Sequence, residues 1–138
     1  MTVSNPNVRN LTPHIVTVYD EKQFISLVQK NATTWVADGV EGDPVAAYEP
    51  EKESARIAVS TVPVNSPLPG TTVKTVYGEA AGIPDGADDT EVLVVSLFTQ
   101  STAKTMGLPS ATQMVAPYKV VRDAANGSIV LGCMGFTY

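Results

Sequence analysis

The side chains with the chemistry of a nucleophile or a general base are few and widely separated in this chain. His14 is the only histidine and Cys133 the only cysteine. Ser96, His14 and Asp123 have the residue types of a Ser-His-Asp set, but Ser96 does not lie in the G-x-S-x-G turn that presents a nucleophilic serine. The apolar residues around Cys133 predict a small buried side chain rather than a reactive thiol. We therefore predict no catalytic residues and no enzymatic activity.

Metal and phosphate sites are equally hard to assemble from this sequence. One histidine and one cysteine cannot form a cysteine-histidine metal cluster. The acidic run 85–91 is too short for a calcium loop, which needs oxygen ligands over about 12 residues. We interpret it, like Glu49, Glu51 and Glu53, as solvated and acidic. No glycine-rich segment has the following lysine of a phosphate-binding loop. We predict no metal and no cofactor.

Five side chains are candidates for contact with a ligand or a partner. Arg56 and Arg122 could bind a small anion bidentately, although an isolated arginine on a strand more often forms an ion pair. Trp35 either caps the core or anchors a partner. His14 lies at the entrance of a predicted strand, where a ring bonded to backbone is favoured over a pH-sensing or ligand role. Tyr138 ends an apolar tail that we expect to dock on its own domain or on a neighbouring subunit.

Composition and charge exclude several classes of protein. The 138 residues are 43% hydrophobic and 17% charged, which is typical of one globular domain. A net charge of −5 argues against nucleic acid as a partner, because phosphates require a basic surface. No stretch reaches the roughly 18 apolar residues of a membrane span. The first residues lack the basic and then apolar pattern of a signal peptide, so we expect a reducing cytoplasm, or a particle assembled in one.

Alternating and apolar patterns predict a chain rich in strands. Ten prolines and ten glycines favour short elements joined by many turns. The run 92–97 has no polar face and predicts a central strand covered on both sides. The segment 24–28 fits either a short helix or a strand. Further strands are predicted at 15–19, 55–62, 71–77, 118–122 and 129–136.

One helix and one tight turn accompany these strands. Residues 99–106 fit a short helix that ends at Gly107, and Ser96 before it is either a helix cap or a buried hydroxyl. The Asn-Gly pair at 126–127 predicts the turn of a hairpin that closes the chain. Gly132 and Gly135 within the last strand suggest a bulge or a close approach of backbone.

These elements predict an α+β fold. We expect a β-rich single domain over residues 11–138, with a mostly antiparallel sheet or a partial barrel and one short helix. Residues 1–10 are predicted as an N-terminal arm, and the acidic, Gly- and Pro-containing segment near 37–53 as a surface excursion. The predicted core residues are Ile15, Val18, Ile57, Val59, Val76, Leu93, Val95, Val121, Ile129 and Leu131.

Several short motifs resemble those of a known family. The chain has Asn-Leu-Thr-Pro-His at 10–14, Leu-Val-Val-Ser at 93–96, Val-Ala-Pro-Tyr at 115–118, Arg-Asp at 122–123 and Gly-Ser-Ile-Val-Leu-Gly-Cys at 127–133. These motifs resemble a family of small uncharacterised proteins from bacteriophages, prophages and some actinobacterial genomes. The resemblance covers most of the chain outside 1–9 and 19–53 and implies no activity. Relatives commonly carry an Arg-x-Asp pair where this chain has the uncharged segment 106–113.

The residues and the resemblance together favour a non-enzymatic, homo-oligomeric, phage-type structural or interaction protein. A virion accessory, such as a decoration or connector component, is one form of this hypothesis. Its partners would be further copies or other phage proteins, and its location the host cytoplasm or the virion. The alternative is a cytoplasmic protein that binds a small nucleotide signal and acts against host defence. An enzyme of unknown class is the remaining alternative.

Overall fold

The computed structural model describes residues 7–84 and 90–138, which contain one α-helix and a series of mostly short strands. The helix α1 spans Leu97–Met106, and short 3-10 helices lie at Glu21–Gln23 and Pro109–Gln113. The strands are β1 (Val8–Asn10), β2 (Val16–Val18), β3 (Phe24–Ile25), β4 (Val28–Gln29), β5 (Trp35–Ala37), β6 (Gly39–Val40), β7 (Ala46–Tyr48), β8 (Arg56–Val64), β9 (Thr72–Ala81), β10 (Val92–Val94), β11 (Met114–Asp123) and β12 (Val130–Thr137).

Eight of these strands form one sheet that curves into a nearly closed partial barrel. The order is β1-β10-β11-β12-β2-β7, with β5 also bonded to β11 and β4 beside β5. A bridge between Asn10 and Pro50 brings the end of β1 next to the chain that leaves β7. The pairings β1–β10, β10–β11, β5–β11 and β2–β12 are parallel, and β11–β12, β2–β7 and β4–β5 are antiparallel. The predicted β-rich α+β fold is confirmed, in its partial-barrel form and with a mixed sheet.

The apolar strand and the helix that follows it are where the sequence predicts them. β10 lies between β1 and β11, and Leu93, Val94 and Val95 are fully buried. Ser96 caps α1, since its side chain accepts a hydrogen bond from the Thr99 amide at 3.1 Å. Gly107 ends the helix with φ of 70°, a conformation that glycine adopts without strain. Within the described ranges, no helix is long and apolar enough to cross a membrane.

The closing hairpin of β11 and β12 is also confirmed. The register shifts between Val121 and Arg122, so the hairpin contains a β-bulge. At Gly132 the sheet passes close to the ring of Tyr19, and a Cβ there would lie 2.7 Å from a ring carbon. Both features predicted from the glycines of the last strand, a bulge and a close approach, are therefore present.

The core lies inside the partial barrel and under α1. Of the predicted core residues, Ile57, Leu93, Val95 and Val121 are buried, and Val18 and Leu131 are half-buried. The prediction is wrong for four residues that are exposed, which are Ile15, Val59, Val76 and Ile129. Strand alternation identifies which side chains share a face, but it does not show whether anything covers that face.

Strands β8 and β9 form a separate two-stranded ribbon, which is defined here as residues 56–81. In the part of the chain that the structure describes, they pair only with each other, and almost every residue of both strands is exposed. The base of the ribbon is attached through Ile57, which packs in the cluster of Leu11 and Leu93. The nine residues of β8 give the ribbon a length of about 30 Å. Both predicted strands are present, but β9 has no buried face where one was expected.

Two segments differ from their predicted structure, and a third adopts one of two predicted alternatives. Val8–Asn10, the end of the predicted N-terminal arm, forms β1 in the main sheet, while residues 1–6 lie outside the described residues. The predicted surface excursion at 37–53 contributes β6 and β7, and Ala46 and Ala47 of β7 are buried. The segment 24–28, for which helix and strand were both open, forms the strand alternative, because Phe24 and Ile25 pair with β6 and Val28 pairs with β5.

Candidate functional site

The loop after β1 is built around a buried asparagine. Asn10 is 1% exposed, and its side-chain amide donates hydrogen bonds of 2.8 Å to the carbonyls of His14 and Tyr48. Its side-chain oxygen accepts bonds from the amide and the hydroxyl of Thr12 at 3.0 and 2.6 Å. Because Leu11 points into the core, the loop presents its remaining residues outward. The Asn-Leu-Thr-Pro-His motif therefore fixes the backbone of this loop.

An open groove lies beside this loop. The loop forms one wall, the turn between β4 and β5 another, and β11 and β12 contribute the remaining surface, with the start of α1 also lining it. Its volume is about 1070 Å³. The lining residues are Thr12, Pro13, His14, Ile15, Val16, Thr17, Gln29, Ala32, Thr33, Trp35, Ser96, Leu97, Pro117, Tyr118, Lys119, Val120, Arg122, Ser128, Val130, Gly132, Cys133 and Thr137.

Lys119 has an unusual conformation within this groove. Its φ is 50°, in the left-handed region that costs a residue with a side chain about 1–2 kcal/mol. The left-handed residue interrupts the alternation of β11, and the consecutive residues Tyr118, Lys119 and Val120 all line the groove. The ammonium of Lys119 lies 4.9 Å from the ring centroid of Trp35 and 5.4 Å from that of Tyr118. Two aromatic rings thus hold a half-buried cation by cation–π contacts.

The charge of the groove is opposite to that of the protein. Its described lining includes the cationic side chains of Lys119 and Arg122 together with His14, and contains no aspartate or glutamate. The whole chain carries a net charge of −5. Arg122 is fixed at the hairpin by donating a 3.1 Å bond to the carbonyl of Gly127. The groove can therefore attract an anion without competition from a carboxylate in its own described lining.

The structure brings together three of the five predicted contact residues. His14, Trp35 and Arg122 line the groove, although the hydrogen bonds at His14 involve its backbone carbonyl and not its ring, which corrects that prediction. Arg56 lies at the base of the ribbon opposite Ala81, so Arg56 and Arg122 do not share a site. Tyr138 is 72% exposed, so its ring does not dock on its own domain, which was one of the two predicted alternatives for the apolar tail.

Trp35 combines both of the roles that the sequence leaves open. Its strand β5 pairs in parallel with β11, with Trp35 opposite Val121. The half-buried ring packs against the core cluster of Phe24, Ala37 and Val121 and also lines the groove. It therefore caps the core with one part of its surface and offers the other to the groove.

A second polar cluster joins the two edges of the partial barrel. Arg9 of β1 bonds both carboxylate oxygens of Glu51 at 2.8 Å and reaches Glu91 at 3.5 Å. The hydrogen bond from Arg9 lowers the pKa of Glu51 below its usual range, and the same bond raises the pKa of Arg9. Glu51 is therefore an ion-pair partner, not the freely solvated carboxylate that the sequence predicts. The ion pair closes the seam between β1 and the segment after β7.

The remaining candidates for chemistry do not form a site. Cys133 is buried, as predicted, and burial raises the pKa of its thiol, which disfavours the reactive thiolate. In residues 7–84 and 90–138, no three of the histidine, cysteine, aspartate and glutamate side chains lie together as a metal site would require. The acidic residues at 85, 88 and 89 lie outside the described residues, while Glu91 of the same run contacts Arg9.

Sequence reasoning missed Tyr118 and Lys119, which contribute most to the character of the groove. The available signal was an aromatic residue followed by a lysine, three residues before Arg122, at the start of the predicted strand 118–122. That signal is weak because such residues commonly lie on a solvated strand face. Comparison with protein-family models, with curated proteins and with solved structures gave no match to this chain.

Proposed function

We propose that this chain is a non-enzymatic, phage-type structural or interaction protein that assembles with further copies of itself through the ribbon. It would act in the host cytoplasm or in the virion, for example as a decoration or connector component. The observation that carries the proposal is the exposure of a ribbon that is almost without charge. Between residues 59 and 77, Lys74 is the only charged residue. A solvated ribbon would normally carry several charges for solubility.

Both faces of the ribbon are suited to contact with another protein. The register of β8 on β9 assigns each cross-strand pair to one face. One face carries the pairs Val59–Tyr77, Thr61–Thr75 and Pro63–Val73, and the other carries Ser60–Val76, Val62–Lys74 and Val64–Thr72. An isolated two-stranded ribbon is at best marginally stable in water, so packing against a partner would stabilise it.

The outer edges of the ribbon support the same proposal. Among residues 7–84 and 90–138, neither β8 nor β9 has a second neighbouring strand, so each has a row of backbone groups on its outer side that no other described strand pairs with. Pro63 removes one donor from the edge of β8, and β9 contains no proline. A strand from another chain can therefore pair with β9 along its length.

A second copy is the occupant that charge favours. The body is defined here as the described residues outside the ribbon, 7–55, 82–84 and 90–138. Two chains of net charge −5 repel each other when their bodies meet. Contact through the ribbons keeps the bodies apart, because the ribbon is about 30 Å long and charges are screened within about 8 Å at physiological salt. The same nearly uncharged surface on both chains makes a self-complementary, two-fold contact without a charge mismatch.

The test is the mass of the protein in solution. We expect light scattering during size exclusion to give a multiple of the 14.5 kDa chain mass for the natural chain. The double variant Val62→Glu with Val73→Glu adds one charge to each face and should shift the protein to the monomer. Val62 lies opposite Lys74, so the new glutamate forms a cross-strand ion pair that preserves the ribbon. Circular dichroism checks that the fold is retained.

Val45→Glu is the matched control, because Val45 is a valine outside the ribbon that is more exposed than either Val62 or Val73. This variant should keep the mass of the natural chain. A natural chain that stays at 14.5 kDa throughout the micromolar range would overturn self-assembly. Mass spectrometry of purified particles from the phage or prophage that encodes the chain tests the virion role separately. Absence of the chain from these particles would rule that role out.

A further inference from the structure

We infer that the groove beside the Asn10 loop is a binding site for a small nucleotide, with Lys119 and Arg122 holding the phosphate and Tyr118 stacking on the base. The inference does not depend on the ribbon, because the groove belongs to the body. Its evidence is the combination of charge, aromatic surface and a strained lysine in one concave place.

The cations of the groove point to an anionic group. Within residues 7–84 and 90–138, the ion pairs involve Arg9, and neither Lys119 nor Arg122 is paired with a carboxylate. Lys119 is half-buried and Arg122 already has its guanidinium anchored at Gly127. Positive side chains that are positioned without an acidic partner are well suited to a phosphate, which both ammonium and guanidinium groups bind strongly.

The conformation of Lys119 supports a ligand role over a structural one. A left-handed lysine within a strand is an observed outlier, and such outliers concentrate at binding sites. Its ammonium is held between Trp35 and Tyr118 instead of extending freely into solvent. The positive group is therefore ordered before a ligand arrives, which lowers the entropy cost of binding.

The aromatic and apolar lining of the groove is suited to a ligand that has a planar, less polar part in addition to a phosphate. Tyr118 is 47% exposed and can stack on a planar base, and Leu97, Pro117 and Val130 offer apolar surface nearby. The volume of about 1070 Å³ lies at the upper end of ligand sites, which are commonly about 300–1,000 Å³. The hydroxyls of Thr12, Ser128 and Thr137 lie in the same lining, and because each donates its proton within the chain, their oxygens can accept hydrogen bonds from a ribose. A phosphorylated nucleoside has all three chemical parts.

Calorimetric titration of the full chain with AMP, GMP, CMP and UMP tests the inference. Adenosine, which lacks the phosphate, and inorganic phosphate, which lacks the nucleoside, are titrated as controls. We expect at least one monophosphate to bind with a Kd below about 1 mM, and adenosine and phosphate each to bind at least about tenfold more weakly. Raising the salt concentration should weaken binding, because the contact includes phosphate.

Variants then assign the contacts. Lys119→Gly removes the ammonium and accepts the left-handed backbone without strain, so it should fold normally and bind at least about tenfold more weakly. Arg122→Gln should have a similar effect. Tyr118→Ala should weaken binding of the nucleotide more than binding of phosphate, because it removes the stacking surface as well as one of the two rings that hold Lys119. Arg56→Gln is the matched control outside the groove and should bind like the natural chain.

Three results would overturn the inference. The first is that none of the four monophosphates binds below about 1 mM, the second that phosphate alone binds as tightly as a nucleotide. The third is that Arg56→Gln loses as much affinity as Arg122→Gln. The monomeric ribbon variant Val62→Glu with Val73→Glu should still bind, so failure of the nucleotide site and failure of ribbon assembly are distinguishable.

Discussion

Leu93 on β10 and Val59 on β8 are aliphatic residues within β-strands, yet Leu93 is fully buried and Val59 is 39% exposed. β10 lies between two strands of the body, with further elements packed over it. β8 has one neighbouring strand and both of its faces are exposed along most of its length. The difference shows that the described chain buries the aliphatic residues of β10 itself and leaves those of the ribbon exposed, and this contrast is the basis of the assembly that we propose.

The largest effect should come from a cavity in the body. Leu93→Ala removes a fully buried side chain from the cluster with Met114 and Ala103, and should lower the free energy of unfolding by about 2–5 kcal/mol. Urea denaturation of the monomeric variant, followed by circular dichroism, measures the loss. A loss below about 1 kcal/mol would mean that the body relaxes to fill the cavity. Burial would then not distinguish Leu93 from the exposed Val59 in its contribution to stability.

A smaller but still large loss should follow Asn10→Ala. The change removes the side-chain donor to the carbonyl of Tyr48 and the acceptor of the Thr12 amide, while the carbonyl of His14 keeps the Thr12 hydroxyl as a donor. It should cost about 1–3 kcal/mol in the same assay. Asn31→Ala is the control, because Asn31 makes the same local bonds to Thr33 but is exposed. Equal losses in the two variants would show that the burial of Asn10 does not increase the stability of the body.

The ion pair between Arg9 and Glu51 should make a pH-dependent contribution to the free energy of unfolding. Because Arg9 lowers the pKa of Glu51 in the folded chain, the pair stabilises the fold at neutral pH, and this term is lost as the pH falls through the folded pKa of Glu51. Both side chains are about a third exposed, so Glu51→Gln should cost only about 0.5–1 kcal/mol at pH 7, and this cost should shrink as the pH is lowered from 7 through the folded pKa of Glu51. Denaturation across this range measures the difference, and Glu49→Gln should show no such trend.

The smallest effect should come from the ribbon. In the monomer, Val59→Ala should change the free energy of unfolding by less than about 0.5 kcal/mol, because Val59 is 39% exposed and lies in a strand that pairs only with β9 among the described residues. Urea denaturation of this variant in the monomeric background measures the change. If the loss matched that of Leu93→Ala, the ribbon would have to fold back onto its own body, and the contrast between the two regions would fail.

The sequence predicts the fold where several local signals coincide. A continuous apolar run, a serine cap and a terminal glycine determine β10 and α1 within the short segment 92–107. The exposed positions Val59 and Val76 were not predictable in the same way, because alternation on the ribbon is indistinguishable from alternation over a core. The burial of β7 follows from its pairing with β2, about 30 residues away, and no local pattern encodes that partner.

The candidate site is predictable as separate residues but not as a site. His14, Trp35 and Arg122 each have a residue type suited to contacts, and they meet because β5 pairs in parallel with β11 and the Asn10 loop lies beside them. Lys119 carries no sequence signal for a left-handed backbone, since that conformation favours glycine and asparagine. Arg9 and Glu51 are 42 residues apart, so their bond depends on closure of the barrel.

The central position of β11 and β12 has a consequence for synthesis of the chain. β11 joins β10, β5 and β12, and β12 joins β2, so the sheet cannot be assembled before residues 114–137 have been made. The ribbon needs only residues 56–81, and a hairpin forms in about 1–10 μs. At about 5–20 residues per second, several seconds separate the end of β9 from the end of β12 on the ribosome. The ribbon can therefore form on the growing chain before the body has folded, but it is at best marginally stable until Ile57 packs in the cluster of Leu11 and Leu93.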